Sequence, residues 1–441
     1  MNFALRAACR MGGGLFAISL LYGQIPLNLS PSRVVGHPQL AIATQAPNLV
    51  EGREFNAPQG VAVDEVSGIV YVADTANHRV LAFADAQSFQ NGAQSLLVLG
   101  QRDKMSTLPL GPGTSFTSGL AAPTGVAVDS QGNVYVADAG NNRIVRYPRP
   151  TGQPAGEPIL ADFLIGQTSF SGNRANQGGA ATASTLAFTT TSGVFKVAIR
   201  FDASGNLWVT DAGNHRVLRY PASALSAGAA NAPAADVALG QTSLTSNTGF
   251  PASTLASVRQ AKNGMREPAS LAFDQAGRLF VVDGLNRVMV YVPPFNTGLD
   301  ASRILGIIPA VGQGQTPPKP INAYSIGVAV TNPTRLLPAQ GVFCIGNIPI
   351  VVDTPTHRLI RYDPFDQWPS EAVSFSPPGR AFIGQNEIEQ DSLQENRGLA
   401  EPTANTFRSP ADGIYSRGET FLVDSGNRSE EHTSELQSLT N

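Results

Sequence analysis

The sequence predicts an all-β fold: a six-bladed β-propeller with long blade-to-blade insert loops and an incomplete last blade. Two observations carry this. A short motif that opens on Asp recurs at Asp74, Asp138, Asp211, Asp283, Asp353 and Asp424. Around each copy stand short apolar runs bounded by Gly, Asp or Asn, which are strand signals. Four short strands repeated at a fixed step are the signature of a propeller, whose blades bury their faces only against neighbours.

Within each repeat the elements come in one order. The first run reads "PQGVAVD", "PTGVAVD", "KVAIRFD" and "PASLAFD" in the first four copies, and "SIGVAV", without its closing Asp, in the fifth. Val61 and Val63 share one face and Ala62 the other, the period of a strand. Tight turns such as "DSQGN" and "DASGN" lead to a second run that ends on the motif Asp. The turn Asp-x-x-Asn-x-Arg follows, then a third run: "RVLAF", "RIVRY", "RVLRY", "RVMVY", "RLIRY". A fourth run ends on Gly-Gln at Gln101, Gln167, Gln241 and Gln385, with a weaker copy, "RILG", at Gly306. After each Gly-Gln comes an insert poor in charge and rich in Asn, Thr, Ser and Gly. With four antiparallel strands per blade, the turn between strands two and three and the blade-to-blade connection fall at the same end. The inserts and the motif turns therefore share one face, and long loops on a rigid scaffold are where binding resides.

The repeat resembles the NHL-repeat family in Pro-x-Gly-Val-Ala-Val-Asp, Tyr-Val-Ala-Asp and Asn-His-Arg-Val, over roughly residues 55 to 427. That resemblance implies six blades. It also sets this chain apart, since the step here is longer than the family's and the surplus lies in the inserts. The fourth copy, "DGLNRV", is one residue short, and the fifth, "DTPTHRL", has Thr356 in place of Asn.

The recurring polar residues are read as structural: Asp74, Asn77 and Arg79; Asp138, Asn141 and Arg143; Asp211, Asn214 and Arg216; Asp283, Asn286 and Arg287; Asp353 and Arg358; Asp424 and Asn427. Aspartate accepts hydrogen bonds from turn amides and arginine pairs with a carboxylate. His78, His215 and His357 sit at matching positions in alternate copies, and three histidines suggest zinc. Their placement at middle radius argues against it, because a zinc ion holds its nitrogens at about 2.0–2.1 Å. No metal and no cofactor is expected.

Net charge is -3 and 14% of residues are charged, which argues against a nucleic-acid binder. Of the two cysteines, Cys9 and Cys344, the first falls in a leader, so no disulfide framework is expected. Arg6 and Arg10 precede the apolar run "LFAISLLYG", which is too short for a membrane span and suits a signal peptide. Residues 1–31 are read as that leader, 32–428 as the propeller, and the product as a secreted or periplasmic monomer with no integral span. Val34 and Val35, in "SRVVGHPQL", are read as an outer strand for the blade that begins near Pro410. At the other end, "RSEEHTSELQS" resembles the in-frame translation of a common sequencing adapter. Residues 429–441 are read as a non-native tail that packs on nothing and leaves the last blade without its third strand, with Arg428 assignable to either side.

Lyases for peptidyl hydroxyglycine and sugar lactonases have similar discs and place His or carboxylate groups around the central channel. Here the inner runs supply Val61, Ala62, Val63, Val126, Ala127, Val128, Leu271 and Ala272, with Arg200 as the polar exception, expected to be paired. That wall lacks an acid–base pair. The sequence therefore favours a non-enzymatic binding or scaffold module for a protein, peptide or glycan. The alternative is a propeller lyase or lactonase with a loop-borne site.

Overall fold

The computed structural model describes residues 33–35, 50–111, 118–154, 157–190, 193–310, 316, 318–331, 334–389, 394–399, 402–403, 405–427 and 435–440. It is an all-β propeller. Five blades are each built from four consecutive antiparallel strands. Blade one comprises Gly60–Val63, Val70–Asp74, Arg79–Phe83 and Leu97–Leu99. Blade two comprises Pro123–Val128, Val134–Asp138, Arg143–Tyr147 and Phe163–Ile165. Blade three comprises Ile199–Phe201, Leu207–Asp211, Arg216–Tyr220 and Val237–Leu239. Blade four comprises Ser270–Phe273, Leu279–Asp283, Arg287–Tyr291 and Arg303–Leu305. Blade five comprises Gly341–Ile345, Ile348–Asp353, Arg358–Arg361 and Ala381–Ile383.

The alternation of strand side chains splits each blade between two cores. Val61, Val72 and Leu81 pack with Ala411, Phe421 and Val423 on one side. Ala62, Tyr71, Ala73 and Val80 pack with Val126, Val134 and Val136 of blade two on the other. Each fully buried Val, Leu or Phe contributes roughly 1.5–3 kcal/mol, so a blade is stable only between neighbours. Inner strands run so close that a Cβ on Gly60 would lie 2.3 Å from Thr124 O. That approach explains the glycine in "PQGVAVD".

The expectation of six like blades is corrected to five of this make. The sheet that begins at Pro410–Ser416 and Glu419–Asp424 is assembled differently, because the repeat pattern stops after Asn427. Its third strand is Glu435–Thr440, which pairs along Glu419–Asp424, and its outermost is Arg33–Val35. The inner strand of this sheet contacts those of blades one and five. The expectation that the tail packs on nothing is thereby overturned for residues 435–440. The bare edge of Glu419–Asp424 offers unpaired amides and carbonyls that any extended segment can satisfy. Arg428 lies outside the described residues, as do residues 1–31, Cys9 among them.

Blade five is corrected as well. "SIGVAV" is not its inner strand; "GVFCI" is. Val328–Thr331 pairs with Thr334–Leu337 as a two-stranded hairpin. A second hairpin, Thr189–Thr190 with Gly193–Val194, precedes the inner strand of blade three in the same way. Among the described residues no helix is long and apolar enough to cross a membrane.

Candidate functional site

The recurring turn is a short 3-10 helix in five copies: Thr75–Asn77, Ala139–Asn141, Ala212–Asn214, Thr354–Thr356 and Ser425–Asn427. The residue after the first four, His78, Asn142, His215 and His357, is left-handed with φ between 50 and 54°. Asn and His tolerate that region better than most residues. Inside the turn the motif Asp and Arg meet, both fully buried. Arg79 Nε donates to Asp74 Oδ2 at 2.6 Å, and the matching pairs measure 2.7 Å for Arg143–Asp138 and Arg216–Asp211. Arg287–Asp283 is closest at 3.0 Å and Arg358–Asp353 at 3.2 Å. Asn77, Asn141, Asn214 and Asn427 donate to the same carboxylates. Thr356 instead accepts from Arg358 Nε at 3.0 Å.

Asn286 departs from its sequence assignment. The fourth turn is one residue short, so Asn286 takes the left-handed place of His78 (φ 56°) rather than the place of Asn77. It donates to Val328 O at 2.9 Å, and Asp283, without that asparagine, accepts from the Leu285 and Arg266 amides and from Arg287.

The motif holds the inserts. Arg79 reaches Lys104 O and Glu54 O, Arg143 reaches Phe170 O and Gly119 O, and Arg216 reaches Leu244 O and Thr182 O. Each arginine thus bonds backbone on two sides of its own turn. The Gly-Gln pairs complete the clamp. Gln101 Nε2 donates to His78 O and Leu108 O, both at 2.9 Å. Gln167 and Gln241 repeat this with Asn142 O and Arg174 O, and with His215 O and Thr248 O. Gln385 bonds His357 O and Gln394 O. Blade four has no glutamine after Gly306; Arg259, from the insert, donates to Asn286 O and Gly306 O at 2.8 Å instead.

The alternation of His and Asn also has a structural cause. His78 Nδ1 accepts from Ala122 N at 2.9 Å, His215 Nδ1 from Glu267 N at 3.2 Å, and His357 Nδ1 from Ser409 N at 2.9 Å. Each joins its blade to the lead-in of the next sheet. Gly249 lies over the His215 ring, where a Cβ would come within 2.6 Å of three ring atoms. Asn142 and Asn286 stand before the two blades entered through hairpins. Asn142 Oδ1 accepts from Phe188 N and Thr189 N, and Asn286 holds Val328 O. Histidine therefore latches a plain lead-in and asparagine pins a hairpin. Burial lowers the pKa of all three histidines, which keeps Nδ1 free to accept. Among the described residues no three His, Cys, Asp or Glu are grouped to hold a metal ion.

On the axis the wall is less apolar than its sequence reads. Asp412 stands on the inner strand Pro410–Ser416, where blades one and two have Gly60 and Gly125. Arg200 NH2 donates to both of its oxygens at 3.0 and 3.2 Å, and Arg200 NH1 bonds Ile199 O at 3.0 Å. Lys196 Nζ lies 3.9 Å from Asp412 Oδ1 and donates to Gln340 O and Ala411 O. Burial pushes the Lys196 ammonium down to about 8, with Asp412 acting in the opposite direction. Lys196 and Asp412 escaped the sequence reading. Their signals were the Lys of "KVAIRFD" and the Asp of "PADGIY". Cys344 is a free thiol whose pKa burial raises.

The inserts carry exposed apolar side chains. Among the described residues, seven of the eleven exposed large hydrophobics lie in inserts or their hairpins: Met105, Leu108, Val194, Leu255, Val330, Ile388 and Leu399. Leu108 and Leu255 are 62% and 65% exposed, beside backbone that the motif arginines and glutamines hold in place.

The NHL repeat family model matches residues 55–83 and 120–147. No curated protein matches the chain. Among solved structures, the PQQ-bound aldose sugar dehydrogenase of Streptomyces coelicolor is 14% identical, over 90% of this chain and 97% of its own, with a TM-score of 0.44. A gluconolactonase from Xanthomonas campestris is 13% identical over 94% and 96%, with a TM-score of 0.42. Streptogramin B lyase is 9% identical over 89% and 96%, also at 0.42. Likeness of this degree carries no argument about activity.

Proposed function

We propose that this β-propeller, whose residues 55–83 and 120–147 match the NHL repeat, is a binding module that takes a protein or peptide on its insert-bearing face. The observation that carries this is that, among the described residues, every insert exposes one or two large apolar side chains, on backbone that buried arginines and glutamines hold in one geometry. Long loops held on a rigid scaffold are where binding resides, and their exposed apolar side chains are the groups a partner would cover. Ordering the loops beforehand also reduces the entropy lost on binding. Covering a Leu or Met contributes roughly 1.5–3 kcal/mol, which favours a protein or peptide over a glycan.

The alternative is a lyase or lactonase with a loop-borne site, and an enzyme of that kind should also gather His or carboxylate groups near the axis. There Lys196, Arg200 and Asp412 are engaged with one another and with backbone carbonyls. The same reading takes the sheet at 410–424 as a sixth blade that closes the ring, and the Asp, Asn and Arg of each turn as structural. It takes residues 1–31 as an export leader to a secreted or periplasmic location, and 429–441 as a non-native tail.

A photo-crosslinking residue at Leu108 or Leu255, introduced in the native host, tests the binding role. A discrete adduct from both positions, absent when the same residue replaces Leu160, is the expected outcome. Equal labelling from all three positions, or none, defeats the proposal.

A further inference from the structure

The face opposite the inserts holds a different feature. Between blades two and three lies a cleft of about 440 Å³. Its apolar wall is Tyr135, Phe201 and Leu225, and its polar rim includes Asp129, Asp202 and Ser204. Tyr135 and Phe201 meet edge to face, with centroids 5.2 Å apart.

The next two notches around the ring show what normally fills such a place. Between blades three and four, Trp208 and Phe273 form the matching pair at 5.6 Å. Phe295, from the loop after the third strand of blade four, stacks edge to face at 4.9 Å from Trp208 and 6.3 Å from Phe273. Between blades four and five the equivalent loop brings Trp368 to 6.4 Å from Phe280, with Phe365 at 5.0 Å from Trp368. In blade three that loop is "PASALSAG". It contributes Ala222 and Leu225 and no ring.

The rim has a sign. Asp129 accepts from the Gln131 and Asn133 amides and from Asn133 Nδ2. Asp202 accepts from the Ser204 and Asn206 amides, Asn206 Nδ2 and Trp208 Nε1. All of these donors are neutral. No Lys or Arg is among the described residues lining the cleft. Two cations act on it from behind, and each has a carboxylate of its own: Arg146, which bonds Leu225 O and Tyr135, is paired with Asp162, and Arg219, which acts on Asp202, is paired with Asp236.

We propose that this cleft binds an aromatic amine: a ring that takes the place Phe295 and Trp368 hold in the next notches, with its ammonium toward Asp129 and Asp202. Edge-to-face contact with Tyr135 and Phe201 orients the ring. The two carboxylates favour the cation over an anion of the same shape.

The test is calorimetric titration of the full chain with tryptamine, and with indole-3-propionate as the anion of matching size. Saturable tryptamine binding below about 1 mM, with much weaker binding of the propionate, is expected. Ala222→Phe supplies the missing ring from the loop and should abolish binding while raising the melting temperature. Asp129→Asn keeps the turn's acceptor and should weaken tryptamine by roughly threefold, the effect of one partly exposed charge. Three results would each overturn the proposal. They are no saturation with the wild type, equal affinity for the two indoles, or unchanged binding in a folded Ala222→Phe. None of these bears on cross-linking at Leu108, so this site and the insert-face reading fail or stand separately.

Discussion

Arg216→Met tests whether the motif arginine holds both its blade and its insert. Arg216 is fully buried, with Nε 2.7 Å from Asp211 Oδ2 and NH2 2.9 and 3.1 Å from Thr182 O and Thr185 O. Methionine fills much of the volume but leaves the Asp211 carboxylate buried without its cation. Burial already raises the pKa of Asp211, and Arg216 is the largest opposing influence. Breaking one side of a buried ion pair costs about 3–5 kcal/mol. At about 2.1 cal/mol/K per residue, unfolding 441 residues as one unit carries an entropy of roughly 0.9 kcal/mol/K. The melting temperature should therefore fall by about 3–5 °C. Asp211→Asn combined with Arg216→Met removes the stranded charge and should recover part of the loss. Hydrogen exchange supplies the second measurement: amides in residues 242–250, next to the lost Leu244 O contact, should exchange faster in Arg216→Met. A drop under about 1 °C, or unchanged exchange in that insert, refutes the reasoning.

The histidine latches make stability depend on pH. Because burial lowers the folded pKa of His78, His215 and His357 below that of the unfolded chain, the unfolded state binds protons first. Their contribution is complete above about pH 6.5 and is lost as pH falls through the lowered folded values. Urea midpoints measured from pH 7.5 down to 5 should decrease, and His78→Asn should flatten the slope, since Asn142 already occupies the matching left-handed position. Removing residues 429–441 takes the paired neighbour from Glu419–Asp424 and should lower the melting temperature and promote self-association through the bared edge. An unchanged melting curve would show that the pairing along Glu419–Asp424 contributes nothing to stability.

The sequence by itself determined what neighbouring residues decide together. The step between Asp motifs, the alternation in "GVAV" and the turn chemistry of Asp-x-x-Asn-x-Arg each act within a few positions. They specified strands, turns and repetition, and placed the inserts beside the motif turns. Where a local pattern was copied without its context the reading failed. "SIGVAV" has an inner strand's composition, but Val328–Thr331 pairs with Thr334–Leu337 as a hairpin and the true inner strand begins later, at Gly341. Asn286 keeps the letter of the motif while a missing residue moves it to a different backbone conformation. Tertiary structure alone decided the rest. Arg200 meets Asp412 across 212 residues of chain, and Lys196 joins them only because the inner strands stand around one axis. Whether a notch between blades is filled by a ring or left as a cleft depends on a loop of one blade meeting strands of two. No local propensity encodes such contacts, because the partners become neighbours only once the ring has closed.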